Sequence, residues 1–138
     1  MVLNLQRRVQ AGKKAVMKIN VIELNETNFE REVLVARQPV LVQFWAGWSG
    51  ACRAMQPLLD SVAEGEVVPV KVARVNVERH EALADQYGVR TVPTLLIFDR
   101  GSLQDQIVGC TTERDVREKL EPFRETSWRQ IPAAAHAG

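Results

Sequence analysis

Cys52 and Cys110 are the two thiols of this 138-residue chain, and Cys52 lies in the segment WAGWSGACRAMQP at residues 45–57. Ser49 precedes Cys52 by three residues and stands where a helix is predicted to begin. A thiol near a helix N-terminus is stabilised as the reactive thiolate by the helix dipole and by N–H groups without helical partners. Ser49 occupies that terminal position, and Cys52 lies about one turn further in. Cys52 is a candidate reactive thiol if glutathione or a partner sulfur reaches it, and the alternative is a small buried apolar side chain.

The composition argues against two other classes of function, the binding of nucleic acid and the binding of membranes. Eighteen basic and seventeen acidic residues give a formal net charge of +1, so no global field attracts nucleic acid or an anionic membrane. No apolar run approaches the roughly 18 residues that span a bilayer, and the N-terminus lacks a signal-peptide pattern. We expect a cytoplasmic protein without a nucleic-acid or membrane partner. We expect His80 and His136 to be isolated surface residues, and neither cysteine has zinc-site spacing, so no metal or cofactor is expected.

Alternating strand and helix patterns must position these residues. Strands are predicted at 18–24, 39–45, 67–77, 94–98 and 106–110, with a hairpin at Asp99-Arg100-Gly101-Ser102. A capping box of Thr27 and Glu30 precedes the first predicted helix. The others cover 49–64, the region of Leu83 to Gly88, and the segment that Thr112 and Asp115 open. The order βαβαβαββα requires a mixed sheet with helices on both faces.

A chain of this length fits one domain with a self-sufficient core. We expect that domain to cover residues 18–123. Residues 1–17 form a basic N-terminal extension with four basic and no acidic residues. Residues 124–138 form a C-terminal tail, and both flanks are expected to be loosely ordered.

From about Val21 to Phe123 the chain resembles the thioredoxin family. The element order matches, and several family motifs occur at family spacing: FWAGW at 44–48, Pro57, Val92-Pro93-Thr94 and Val108-Gly109. The resemblance implies the thioredoxin fold, an α/β architecture with a mixed central sheet and helices on both faces. It also implies a cis peptide bond before Pro93.

The redox motif departs from the family pattern. Where thioredoxins carry W-C-G-P-C, this chain has Trp48-Ser49-Gly50-Ala51-Cys52. Ser49 replaces the attacking cysteine and Ala51 replaces the proline. An alcohol neither ionises near neutral pH nor forms a stable bond to sulfur, so this pair of positions lacks the dithiol cycle.

Gln43 is a third departure, at the position where thioredoxins bury an aspartate that assists the second cysteine. A neutral amide costs less to bury than a carboxylate. Losing the acid is expected if the second cysteine no longer resolves a disulfide. Gln43, Ser49 and Ala51 thus form one consistent set, which favours natural divergence over an engineered Cys-to-Ser change.

Two functions remain open. The first is a non-dithiol binding module for protein or peptide clients, acting as a monomer or weak dimer. The resemblance implies that its surface comprises Trp48, Gly50, Ala51, Val92, Pro93 and Gly109. We expect Trp48 to be at least partly exposed on this surface.

The second function is a monothiol disulfide oxidoreductase or thiol-transfer protein that uses Cys52 or Cys110. We expect Cys52 to be largely buried, with Ser49 as a helix cap or as a hydrogen-bond donor towards its sulfur. Cys110 follows the late-strand glycine. It is either a relocated nucleophile or a small residue that fills this position.

Overall fold

A computed structural model describes residues 21–64 and 70–129, with side chains described as far as residue 123. In these ranges the strands are β1 Val21–Leu24, β2 Val40–Trp45, β3 Lys71–Asn76, β4 Thr94–Asp99 and β5 Ser102–Val108. The helical segments are α1 Glu30–Leu34, α2 Gly50–Ala54, α3 Gln56–Glu64, α4 Glu81–Gln86 and α5 Glu113–Arg129. None of these helices has the length and apolarity needed to cross a membrane.

The strands form one sheet in the order β1-β3-β2-β4-β5. β1 and β2 lie parallel to β3 on its two sides, whereas β4 pairs antiparallel with both β2 and β5. The predicted mixed sheet is therefore confirmed. β2 is buried along almost its whole length, as the apolar run at 39–45 predicts for a strand covered on both faces.

Two apolar clusters pack on opposite faces of the sheet because successive strand residues point to opposite sides. Phe44 belongs to the cluster covered by Val33 of α1 and Leu83 of α4. Leu41 belongs to the cluster covered by Leu59 of α3 and by α5. Helices consequently cover both faces of the sheet, as predicted.

The helix predicted over 49–64 is divided at Met55 into α2 and α3. Pro57 lies in the first turn of α3. Proline has no backbone N–H and cannot donate the helical bond to the fourth residue before it, so the helix is interrupted there. The Met55 carbonyl still accepts a hydrogen bond from Leu59 N–H at 3.1 Å, which links the end of α2 to α3.

The capping box predicted at Thr27 and Glu30 is wrong. Asn25 and Asn28 cap this segment instead: each side-chain Oδ1 accepts the other residue's backbone N–H, at 2.9 and 2.7 Å. Asparagine competes well here because its short side chain closes Asx turns. The segment that follows has π-type bonding, in which Val35 N–H donates to Glu30 O.

The hairpin predicted at residues 99–102 is present between β4 and β5, and its turn consists of Arg100 and Gly101, both with positive φ angles. The predicted strand 106–110 is wrong at both ends, since β5 runs from Ser102 to Val108. β5 is an exposed edge strand with polar residues along its length, and its sequence therefore lacks the apolar signal of an inner strand.

The described residues include only part of the two predicted flanks. α5 continues to Arg129, beyond the predicted domain end at residue 123. The predicted extension 1–17, residues 18–20 and 67–69 of two predicted strands, and residues 130–138 of the tail lie outside the described residues.

Candidate functional site

The start of α2 is held by Ser49. Its backbone is extended, with φ −91° and ψ 112°, and its Oγ accepts the backbone N–H of Cys52 at 3.2 Å. This is the geometry of a helix N-cap, in which a side-chain oxygen satisfies an N–H group that has no helical acceptor. The two roles expected for Ser49 are a helix cap and a hydrogen-bond donor towards the Cys52 sulfur, and this contact corresponds to the cap.

The two thiols occupy opposite environments. Cys52 is 1% exposed, on the inner side of α2, as predicted. Cys110 is exposed, and both cysteines are free, so no disulfide joins them. A disulfide in solution can reach Cys110 directly, whereas Cys52 is covered by protein.

Gln43 lies at the centre of the sheet, between Arg74 of β3 and Leu95 of β4 in the strand register. Its side chain is completely buried, and neither its Oε1 nor its Nε2 has a hydrogen-bond partner among the described residues. An unsatisfied buried polar group costs about 1–3 kcal/mol. Burial of Gln43 without a partner among the described residues therefore opposes stability.

Trp48 is 70% exposed, and the preceding residue, Gly47, is held by two hydrogen bonds. Gly47 N–H donates to Glu78 Oε1 at 2.9 Å, and Arg53 Nη1 donates to Gly47 O at 2.8 Å. The indole is therefore presented to solvent by a loop that is tied to β3's C-terminal end and to α2.

A groove of about 400 Å³ opens beside this indole. We call it the Trp48 groove. Its lining is mainly apolar and includes one cation, Arg90. The lining residues are Trp48, Val77, Ala84, Val89, Arg90, Thr91 and Val92. Trp48 and Val92 of the predicted surface thus meet at one concave site.

Pro93 and Gly109 are joined directly. The Val92–Pro93 peptide bond is cis, and the Pro93 carbonyl accepts the N–H of Gly109 at 2.9 Å. Gly109 has φ +90°, a conformation that side chains with a Cβ rarely adopt. A Cβ there would meet nothing within 4 Å, so backbone conformation, rather than space, favours glycine. Cys110 follows this contact directly in the chain.

Comparisons with known proteins identify the family of the chain. A family model described as Thioredoxin matches residues 20–122. The chain belongs to the thioredoxin family. Thioredoxin 1 of Nostoc sp. is 38% identical over 99 residues, which are 72% of this chain and 92% of that protein. The chloroplastic Thioredoxin M-type of Pisum sativum is 32% identical, over 81% of this chain and 64% of that protein.

A solved structure extends the likeness to three dimensions. A mutant thioredoxin from Halobacterium salinarum aligns with a TM-score of 0.71 and 30% identity, covering 76% of this chain and 91% of that one. The thioredoxin fold predicted from the sequence is confirmed.

Sequence reasoning missed part of the Trp48 groove. Val77, Ala84 and Arg90 line it, although they come from three separate parts of the chain. Val77 follows β3, Ala84 lies within α4 and Arg90 precedes β4. No spacing in the sequence brings these positions together. Gly50 and Ala51 form the first turn of α2, next to the Ser49 cap.

Proposed function

We propose that this thioredoxin-family protein is a peptide- or protein-binding module that holds its clients noncovalently at the Trp48 groove. The observation that carries the proposal is the exposed Trp48 indole beside an apolar groove. Exposed aromatic side chains next to apolar pockets are typical anchors of binding surfaces.

The start of α2 supports binding without dithiol exchange. Exchange needs a thiolate that attacks a disulfide sulfur in line. Ser49 offers a hydroxyl that accepts the Cys52 N–H, and the Cys52 thiol itself is buried. Neither Ser49 nor Cys52 therefore presents an exposed thiolate that could attack a client disulfide.

The exposed area of Trp48 is large enough to contribute substantial affinity. Covering an aromatic side chain of this size removes on the order of 150 Å² from water. That burial is worth roughly 4 kcal/mol before the cost of ordering the client. An extended client would place an apolar side chain in the groove, with its backbone beside Val92, Pro93 and Gly109.

A cysteine-free peptide library tests this function, because no member can form a disulfide with the protein. Selection against the wild-type chain is expected to enrich peptides that bind in dithiothreitol. These peptides should lose most of their affinity for Trp48→Ala and keep it for Val35→Ala, a matched change at another apolar residue that is 63% exposed.

Two results would overturn the binding proposal. One is a selection that enriches no peptide above background. The other is a set of enriched peptides that bind Trp48→Ala as tightly as the wild-type protein, because the groove would then take no part in recognition.

A second candidate function rests on the exposure of Cys110. Its thiolate would attack glutathione disulfide, forming a mixed disulfide and releasing one glutathione thiolate. Mass spectrometry of the treated protein locates the adduct, and turnover of a disulfide substrate with glutathione measures activity. This function requires that Cys110→Ser abolish both signals while Cys52→Ser leaves them. Absence of an adduct on the wild-type protein excludes it.

A further inference from the structure

A second cleft, of about 430 Å³, is lined by residues at and after the C-terminal end of β3. It is lined by the ends of β1, β2 and β3, which run parallel, and by the loop that leads to α4. We call it the Arg74 cleft. Crevices at the carboxyl ends of parallel strands are common ligand sites in α/β proteins.

Two buried N–H donors in the Arg74 cleft have no acceptor. The guanidinium of Arg74 stacks on the Trp45 ring, 4.1 Å from its centroid. Trp45 Nε1 and Arg74 Nε are both buried without a hydrogen-bond partner in the described part of the chain. Both groups can only donate. A buried donor without an acceptor costs about 1–3 kcal/mol, so the pair calls for an acceptor beyond those that the described residues supply.

The asparagines of the cleft have already used their acceptor atoms. Asn25 Oδ1 accepts the N–H groups of Thr27 and Asn28 at 2.8 and 2.9 Å. Asn76 Oδ1 accepts the N–H of Glu78 at 2.9 Å. Each of these oxygens is therefore committed to the backbone, and the amide nitrogen that remains on each side chain is a donor.

The acidic side chains at the cleft already have partners. Glu23 pairs with Arg74 Nη1 at 2.9 Å, and Glu26 pairs with His80 Nδ1 at 2.7 Å. Arg79 lines the cleft and makes no ion pair within residues 21–64 and 70–123. The cleft is thus rich in donors and carries an unneutralised guanidinium.

We propose that the Arg74 cleft binds an oxyanion, the phosphate or carboxylate group of a small molecule. Such a group only accepts hydrogen bonds, and arginine is the side chain that best matches its geometry. Trp45 Nε1 and Arg74 Nε supply the donors, and Arg79 supplies the charge. This site goes beyond the peptide-binding function and does not depend on it.

Nuclear magnetic resonance tests the proposal through the indole N–H signals of ¹⁵N-labelled protein. Inorganic phosphate and acetate are titrated separately at constant ionic strength set with sodium chloride. The Trp45 indole signal is expected to shift and saturate in at least one titration, with the Trp48 indole signal as the unmoved reference. Saturation with phosphate alone identifies a phosphate site, and saturation with acetate alone identifies a carboxylate site.

Variants separate a specific site from general charge attraction. Arg79→Gln is expected to weaken binding about tenfold, as loss of a charge-assisted hydrogen bond does. Arg74→Lys keeps the charge but removes the Nε–H, and should also weaken it. Arg37→Gln, at an exposed arginine away from the cleft, is the matched control and should leave affinity unchanged. Melting temperatures establish that all three variants fold.

The proposal is overturned if neither titration moves the Trp45 signal saturably. It is equally overturned if Trp45 and Trp48 shift together, or if Arg79→Gln and Arg37→Gln bind the probe alike. Each of these results would mean that the cleft does not recognise the anion.

Discussion

The inner and outer halves of the candidate site differ in accessibility and in what they can do. The inner half, Gln43, Ser49 and Cys52, is buried. The outer half comprises Trp48, which lines a groove, and the Pro93–Gly109 contact, which follows Val92 of that groove. Serine at position 49 supplies an oxygen that caps α2. The Ser49 oxygen therefore holds the start of α2 without acting as a thiol nucleophile. The outer surface keeps the helix start that supports it.

Returning sulfur to the inner half is expected to have the largest effect. Ser49→Cys would place a thiol at the N-terminus of α2, three residues before Cys52, where a thiolate is stabilised. We expect reduction of insulin disulfides with dithiothreitol to rise at least about tenfold over wild type, since the thiolate is the attacking species.

The double variant Ser49→Cys, Cys52→Ser is the control for this gain. It should attack but not resolve, and so accumulate mixed disulfides. If Ser49→Cys stays as slow as wild type, the missing sulfur is not what limits the inner half, and Gln43 or Ala51 must contribute.

The outer half is expected to be sensitive at Gly109. Its φ of +90° makes Gly109→Ala unfavourable by about 1–2 kcal/mol in the free energy of unfolding. Gly50→Ala is the matched control, because its Cβ would meet only the flexible Arg53 side chain at 3.6 Å, an ordinary contact. Urea denaturation measures both. Equal effects would mean that the Gly109 conformation is not a constraint.

Gln43 offers a test in the opposite direction, towards greater stability. Gln43→Met replaces an amide that has no hydrogen-bond partner among the described residues by an apolar side chain of similar length. We expect the free energy of unfolding to increase by about 1–2 kcal/mol, because the cost of an unsatisfied amide disappears. A decrease, measured by the same urea denaturation, would reveal that the amide is satisfied in solution.

The smallest effect is expected from removing the cap alone. Ser49→Ala should lower the free energy of unfolding by about 1 kcal/mol, the usual value of an N-cap. Thr112→Ala is a matched change, since Thr112 Oγ1 accepts the Asp115 N–H at 3.1 Å at the start of α5. A loss at Ser49 well above that at Thr112 would show that Ser49 does more than cap α2.

The sequence predicted the parts of the fold that local patterns encode. The apolar run at 39–45 indicates a central strand, and Ser49 before a helical pattern indicates a cap. β5 was placed too late because an exposed edge strand carries polar residues that hide its period. Asn25 and Asn28 were missed because several polar residues compete for the cap at that point, and their bonds are visible only in coordinates.

The candidate site was predictable only where motifs carry it. Trp48, Pro93 and Gly109 stand in family motifs, and Trp48 is exposed as expected. The walls of the groove come from separate elements that meet through the fold. The missing partners of Gln43, and the stacking of Arg74 on Trp45, depend on side-chain placement that no local pattern determines.

The most direct test of noncovalent recognition removes both thiols. The affinity of a library-selected, cysteine-free peptide is measured for wild type and for Cys52→Ala, Cys110→Ala, with dithiothreitol present and folding checked by melting temperature. The account predicts the same affinity for both proteins. A folded double variant that no longer binds the peptide would contradict it, because recognition would then need a thiol.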